Sequence, residues 1–162
     1  ENDNIIALLE DILQNIPEKL SFIKAPQYIN REISLYNKIL EKITDSLTCL
    51  TSSLKGDTQF TEDFEALLNE LIRNKVPTAW LAWYYPTLLG LSGFLKNLNE
   101  KVSYFRNMTT GEDVRVYWLG AFFYPRSLLA SVILDFSKDH AEVPIDDISL
   151  NYGIINDDNQ KD

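Results

Sequence analysis

The sequence predicts a mainly α fold: a multi-helix bundle with one long helix, and a short strand or strand pair near the C-terminus. Three patterns carry this. Ile29, Ile33, Tyr36, Leu40, Ile43, Leu47, Leu50 and Leu54 step by 4, 3, 4, 3, 4, 3, 4, which sets them on one helical stripe. Leu88, Leu91, Leu95, Leu98, Val102 and Phe105 repeat that rhythm. Ile148, Leu150 and Tyr152 alternate instead, as the residues of a strand do.

The first helix is expected over Asn4 to Gln14, with Ile5, Leu8, Leu9 and Ile12 on one face and Asp3 as N-cap. Asn15 and Pro17 end it, and Ser21 to Gln27, with Pro26, reads as a connector. The long helix then runs from Tyr28 to Leu54, and Gly56 is placed to stop it. Leu35 and Ile39 widen its apolar face beyond the narrow seam of a two-stranded coiled coil, so packing in a bundle is expected. Thr61 caps a third helix whose face is Phe64, Leu67, Leu68 and Leu71. Val76-Pro77 and Tyr85-Pro86 make two corners around a short helical stretch with Trp80 and Trp83. Thr87 opens the next helix, which continues to Phe105.

Val114 to Tyr124 is apolar and aromatic and reads as a short strand or a buried turn. Pro125 suits the first turn of a last helix, whose core face is Leu128, Leu129, Val132, Ile133 and Phe136. Val143-Pro144-Ile145-Asp146 is a turn leading to the alternating segment. That segment either pairs with the Val114 stretch or belongs with a β region beyond it. Residues 1–155 are expected to form one helical subdomain and 156–162 a polar tail. The sequence begins with Glu1 rather than Met, which is expected of a piece of a longer protein.

Composition narrows the function. Acidic side chains outnumber basic ones 24 to 15, which opposes binding to a phosphate backbone. The single cysteine, Cys49, permits no internal disulfide and is expected in or near the core. Val76 to Leu95 carries no charge, yet Pro77 and Pro86 interrupt it and its Trp and Tyr cluster lies mid-run, so it reads as core rather than a membrane span. No Gly-rich phosphate loop and no nucleophile motif occur. His140 is the only histidine and sits near a predicted helix C-terminus, where it reads as a cap or surface residue. Asp146-Asp147 and Asp157-Asp158 point their side chains apart in extended backbone, which makes a shared catalytic site improbable. The residues therefore indicate no catalytic, cofactor or metal site.

Several fragments in order nevertheless resemble one family. Val76, Pro77 and Trp80 match the Lys-Val-Pro-x-x-Trp stretch of dynein heavy chains, and Tyr85-Pro86 follows at similar spacing. Trp118, Gly120, Phe122, Phe123 and Pro125 resemble the family's aromatic Gly-Phe-Phe-x-Pro block. Pro144, Ile145 and Asp146 resemble its Ile-Pro-Ile-Asp turn, and Asn37-Lys38 lies in the long helix where the family has Phe-Asn-Lys. Tyr124-Pro125-Arg126 departs from the commoner Pro-Gln. The resemblance implies the helical first half of the dynein C-terminal domain, which often continues into a β-barrel. It also implies no nucleotide site of its own, hydrolysis taking place in other modules of the AAA+ ring. The implied partners are those ring modules of the same heavy chain, the parent motor binding microtubules in the cytoplasm, the cytoskeleton or an axoneme. The implied role is to modulate force, processivity and ATPase coupling, with Leu35 and Ile39 as candidate ring-docking residues. A free-standing helical adaptor is the alternative.

Overall fold

The computed structural model describes residues 2–22, 26–110, 117–151 and 153. They fall into two units, residues 1–123 and residues 124–162. The first holds helices α1 (Asn2–Gln14), α2 (Gln27–Lys55), α3 (Glu62–Ile72), α4 (Thr78–Leu81) and α5 (Leu91–Thr109), then a 3-10 turn at Leu119–Ala121. The second holds α6 (Pro125–Asp139) and a 3-10 turn at Ile145–Asp147.

α1 packs antiparallel on α2. Glu10 reaches Lys55 at the C-terminal end of α2 at 2.9 Å, and Lys19, past the end of α1, reaches Glu41 in the middle of α2 at 3.1 Å. Both pairs are half exposed, so each contributes less than about 1 kcal/mol. The firmer attachment comes from Asn37. Its amide accepts from the Leu20 N–H at 2.7 Å and donates to the Leu20 carbonyl at 2.8 Å, which pins the connector after α1 onto α2. Asp3 lies in the first turn of α1 rather than capping it, where its charge still suits the helix dipole.

Seven of the eight stripe residues on α2 are core, Ile29, Ile33, Tyr36, Leu40, Ile43, Leu47 and Leu50, with Ile39 buried beside them, while Leu54 in the last turn is half-buried. Gly56 ends the helix at φ +88°, and the N–H groups of Gly56 and Asp57 return to the Ser53 and Ser52 carbonyls. Thr61 caps α3 through its hydroxyl, which accepts from the Phe64 N–H at 3.4 Å. Cys49 is exposed on α2, not in the core, because it lies off the buried stripe.

The start of α5 differs from expectation. The helix begins at Leu91, not Thr87, and Leu88 is fully exposed. The cause is Asn74, held at φ +55°, whose carbonyl accepts the Leu91 N–H at 3.0 Å. A Cβ on Gly90 would stand 3.2 Å from that carbonyl oxygen and 3.1 Å from the Asn74 amide nitrogen, so glycine allows the approach. Leu91, Phe94, Leu98, Lys101, Val102 and Phe105 form the buried side of α5.

In the second unit Pro125 opens α6 and His140 caps its end, its N–H bonded to the Phe136 carbonyl at 2.9 Å. Of the five residues expected on its core face only Leu128 is buried. Leu129 and Ile133 are half-buried, and Val132 and Phe136 are exposed. The short strand pair is not found: no strand forms among the described residues. Ile148 is extended at φ −86°, ψ 119°, but extended backbone becomes a strand only when another segment pairs with it. Val114 to Val116, Tyr152 and the tail at 156–162 lie outside the described residues.

Candidate functional site

The motif residues of the first unit gather around the place where α2, α5, the Tyr84–Tyr85 corner and the 119–123 turn meet. Trp80 is fully buried because Val76-Pro77 turns the backbone into α4, and its indole N–H donates to the Ser46 hydroxyl on α2 at 2.9 Å. Glu70 supports this corner by accepting from the Thr78 N–H at 3.1 Å and from the Thr78 hydroxyl at 2.7 Å. Phe123 sits among Tyr36, Tyr84 and Tyr85, with ring centroids 5.0, 5.5 and 5.0 Å away. Phe122 packs edge-on against Phe105 at 5.0 Å.

A buried cation lies at the centre. Lys101 is 5% exposed, and its ammonium stands 4.2 Å from the Tyr85 ring centroid and 5.4 Å from that of Tyr84. It donates to the Tyr84 hydroxyl at 3.2 Å and to the Tyr85 hydroxyl. Two hydroxyl acceptors and two aromatic faces offset the desolvation that would otherwise make such a charge costly. The Tyr85 hydroxyl donates in turn to the Gly120 carbonyl at 3.3 Å and lies 3.4 Å from the Tyr36 hydroxyl. Tyr36 donates to the Ala121 carbonyl. Glu32, 2% exposed, accepts the Phe123 N–H at 2.7 Å.

Burial keeps two of the phenols here, Tyr36 and Tyr84, protonated. Burial pushes the Tyr36 phenol far above the usual tyrosine range, and Tyr85 beside it adds to the shift. Burial does the same to Tyr84, assisted by its hydrogen bond with Tyr85. Both phenols stay protonated near neutral pH and can act there only as hydrogen-bonding groups. Burial also raises Tyr104, whose hydroxyl accepts the Trp118 N–H at 3.1 Å. Among the described residues no three His, Cys, Asp or Glu side chains gather where an ion could bind. No helix there is long and apolar enough to cross a membrane.

A family profile for the C-terminal domain of the dynein heavy chain matches residues 1–162. The protein belongs to that family. Among curated relatives it is similar to dynein axonemal heavy chain 6 of Homo sapiens, 26% identical over 95% of this sequence and 4% of the relative. It is 28% identical to the ciliary dynein beta chain of Heliocidaris crassispina, over 91% of this sequence and 4% of the relative. It is 29% identical to the dynein-1-beta heavy chain of the flagellar inner arm I1 complex of Chlamydomonas reinhardtii, over 95% of this sequence and 4% of the relative. The 162 residues thus span about 4% of the length of these relatives.

In this dynein C-terminal domain the motif residues divide by position. Val76, Pro77, Trp80 and Phe122 are buried, and Tyr85 and Phe123 are half-buried at the junction. Trp118 is a rim residue, 38% exposed, with its indole nitrogen 3.2 Å from where a Gly120 Cβ would stand. Pro86 and Gly120 are exposed. Pro125, Pro144, Ile145 and Asp146 belong to the second unit, where Ile145 and Asp146 form its 3-10 turn. Ile39 is fully buried in the first unit, which removes it from any docking surface, while Leu35 is half-buried. Sequence reasoning missed Lys101, Glu32 and the hydroxyl role of Tyr36. Two of these had a visible signal, since Lys101 interrupts the Leu98–Val102–Phe105 face and Glu32 adjoins Ile33.

Proposed function

We propose that this dynein segment is a non-catalytic part of a motor heavy chain that packs on AAA+ ring modules of the same polypeptide and modulates motility. Force, processivity and ATPase coupling are the properties it would tune, in a parent motor that hydrolyses ATP elsewhere and binds microtubules. One observation supports this reading above others. The buried polar groups of the first unit are directed at backbone and at one another, whereas Leu88 and Leu89 are displayed outward. A rigid bundle with outward leucines suits a docking element, and its contacts would bias which ring conformations are populated. Leu35, which keeps an accessible edge, is retained as a docking residue, and Leu88 and Leu89 replace Ile39. The ciliary and flagellar origin named for its relatives favours an axonemal, cytoskeletal setting.

The test is a full-length motor carrying Leu35→Ser, Leu88→Ser and Leu89→Ser. Stall force or microtubule-stimulated ATPase should change by at least about twofold, as expected when a coupling contact is lost. If both stay at wild-type values in a correctly folded motor, the docking reading fails. The adaptor reading is favoured by one feature, a cavity of about 520 Å³ among α1, α3 and α5, floored by Ile12, Leu71 and Leu95. A partner helix in that groove would be retained by the isolated domain in a pull-down without the ring.

A further inference from the structure

The second unit leaves an apolar groove uncovered. One wall is Val132, Ile133 and Phe136 on α6, and the other is Val143, Ile148 and Leu150, together enclosing about 370 Å³. None of these six side chains is buried, and Val132 and Phe136 are 37% and 45% exposed. A cavity of about 150 Å³ accepts a benzene-sized group, so this groove has room for about two apolar side chains. Val132 and Phe136 stand one helical turn apart, about 6 Å along the axis. That is the distance between side chains at i and i+4 on a second helix.

The surroundings of the groove are acidic. Residues 127–151 contain Asp135, Asp139, Glu142, Asp146 and Asp147 against one lysine, Lys138, and no arginine. Lys138 is taken up by Asp135 at 3.0 Å, and Glu142 is 3.3 Å from the His140 ring, which itself lies on Phe136. Asp139, Asp146 and Asp147 are exposed and have no ion-pair partner among the described residues, and Asp147 lines the groove itself. That sign selects the occupant. Two copies of this face would set these aspartates against one another, and residues 156–162, with Asp157, Asp158 and Asp162 against Lys161, are acidic as well. Anionic lipid headgroups are repelled on the same ground. A segment carrying lysine or arginine beside an apolar face is drawn in.

We propose that the groove between α6 and the Val143–Leu150 segment receives a basic amphipathic helix from elsewhere in the same heavy chain. Apolar side chains one turn apart on that helix fill the groove, and its lysines or arginines face Asp139, Asp146 and Asp147. This rests on the reading that the segment packs on other modules of its own polypeptide, and it adds a surface separate from Leu35, Leu88 and Leu89. The source follows from tethering. These residues span about 4% of the relatives' length, so a helix in the rest of such a chain is held nearby at high effective concentration, whereas a separate protein must be recruited from solution.

Photo-cross-linking in the full-length motor tests it, with Phe136 replaced by benzoylphenylalanine and, in a second motor, Val132 replaced by the same probe. Because the probe reacts with any neighbouring C–H bond, mass spectrometry of the cross-linked peptide reads what lies in the groove. The expected peptide belongs to the same heavy chain outside residues 1–162, with apolar residues three or four apart and lysines or arginines beside them. Asp139→Lys, Asp146→Lys and Asp147→Lys together should lower its yield at least about fivefold, as should salt raised to about 0.5 M. A cross-link within residues 1–162 or to a separate protein overturns the proposal, as does none at either position. An unchanged yield after the triple charge reversal also overturns it, since charge selects the occupant. The Leu35, Leu88 and Leu89 variants are read through force and ATPase instead. Unchanged values there with the cross-link intact would remove that docking surface and leave this one standing.

Discussion

The two units of this dynein domain carry similar helical patterns and differ in how far those patterns are satisfied. On α2 and α5 most of the apolar stripe is closed: Tyr36, Leu47, Leu98 and Phe105, with Phe94 beside them, are fully buried, and only Leu54, Leu95 and the exposed Leu88 fall outside the core. On α6 five apolar residues at the same kind of spacing leave only Leu128 buried. Val132, Ile133 and Phe136 instead line a cavity of about 370 Å³ with Val143, Ile148 and Leu150. Amphipathic spacing is a statement about one helix, whereas burial needs a second element to supply the facing surface. The first unit has α1, α2, α3 and α5 to supply it. The second has one long helix and a 3-10 turn among its described residues.

The largest effect should come from emptying the closed core. Trp80→Ala removes a fully buried indole and leaves the Ser46 hydroxyl without its donor, a loss of about 3–5 kcal/mol for such truncations. Denaturant unfolding followed through α2 amides measures it. A cost below about 1 kcal/mol would mean that the corner at Val76-Pro77 is not part of the closed core.

What could be read from the sequence follows the same division. The long helix and its stop at Gly56, the cap at Thr61 and Pro125 at the start of α6 all depend on neighbours in sequence, so local chemistry is enough to place them. The start of α5 could not be placed that way, because Asn74 sets it from seventeen residues before Leu91. The strand pair failed for a related reason, since alternation describes one segment and says nothing of a partner. Trp80 and Trp118 share a motif origin but not a fate: one is sealed under α2 and α5, the other rests on Tyr104 at the rim. Lys101 was hidden because a lysine within an apolar face reads as a fault in the pattern, although two tyrosines on a distant corner make it part of the core.

A middle-sized effect concerns the tyrosines, and pH exposes it. Tyr36 and Tyr84 are held above their ordinary value of 10.0 in the folded state. Between that value and the folded one the unfolded protein has lost protons that the folded protein keeps, so stability falls as pH rises. The stabilising share is fully present below about pH 10 and declines above it, by up to about 1.4 kcal/mol per pH unit for each such group. Tyr36→Phe should therefore flatten the alkaline side of the stability profile while costing about 1–3 kcal/mol near neutrality. Denaturant midpoints across pH 8 to about 11 would show this. A profile of unchanged slope would mean that Tyr36 titrates alike in both states, which is incompatible with its burial against Ala121 and Phe105.

The smallest effect, that of truncating Phe136, sharpens the contrast most directly, because Phe94 sets the same side-chain type in closed surroundings. Phe94 on α5 is 1% exposed and packs edge-on against Tyr84 at 5.2 Å. Phe136 on α6 is 45% exposed and lies tilted by 33° against the His140 ring at 4.2 Å. Truncating Phe94 to alanine forfeits a full set of dispersion contacts and opens a cavity, at a cost of about 3–5 kcal/mol. Truncating Phe136 borders a space that is already open, so few contacts are lost and the cost should stay below about 1.5 kcal/mol. The change read at α6 amides in Phe136→Ala should thus be less than half the change read at α5 amides in Phe94→Ala. Equal costs would mean that the α6 face is closed in solution by a surface the described residues do not provide, and the contrast between the units would then lie in which partner closes each face rather than in whether one does.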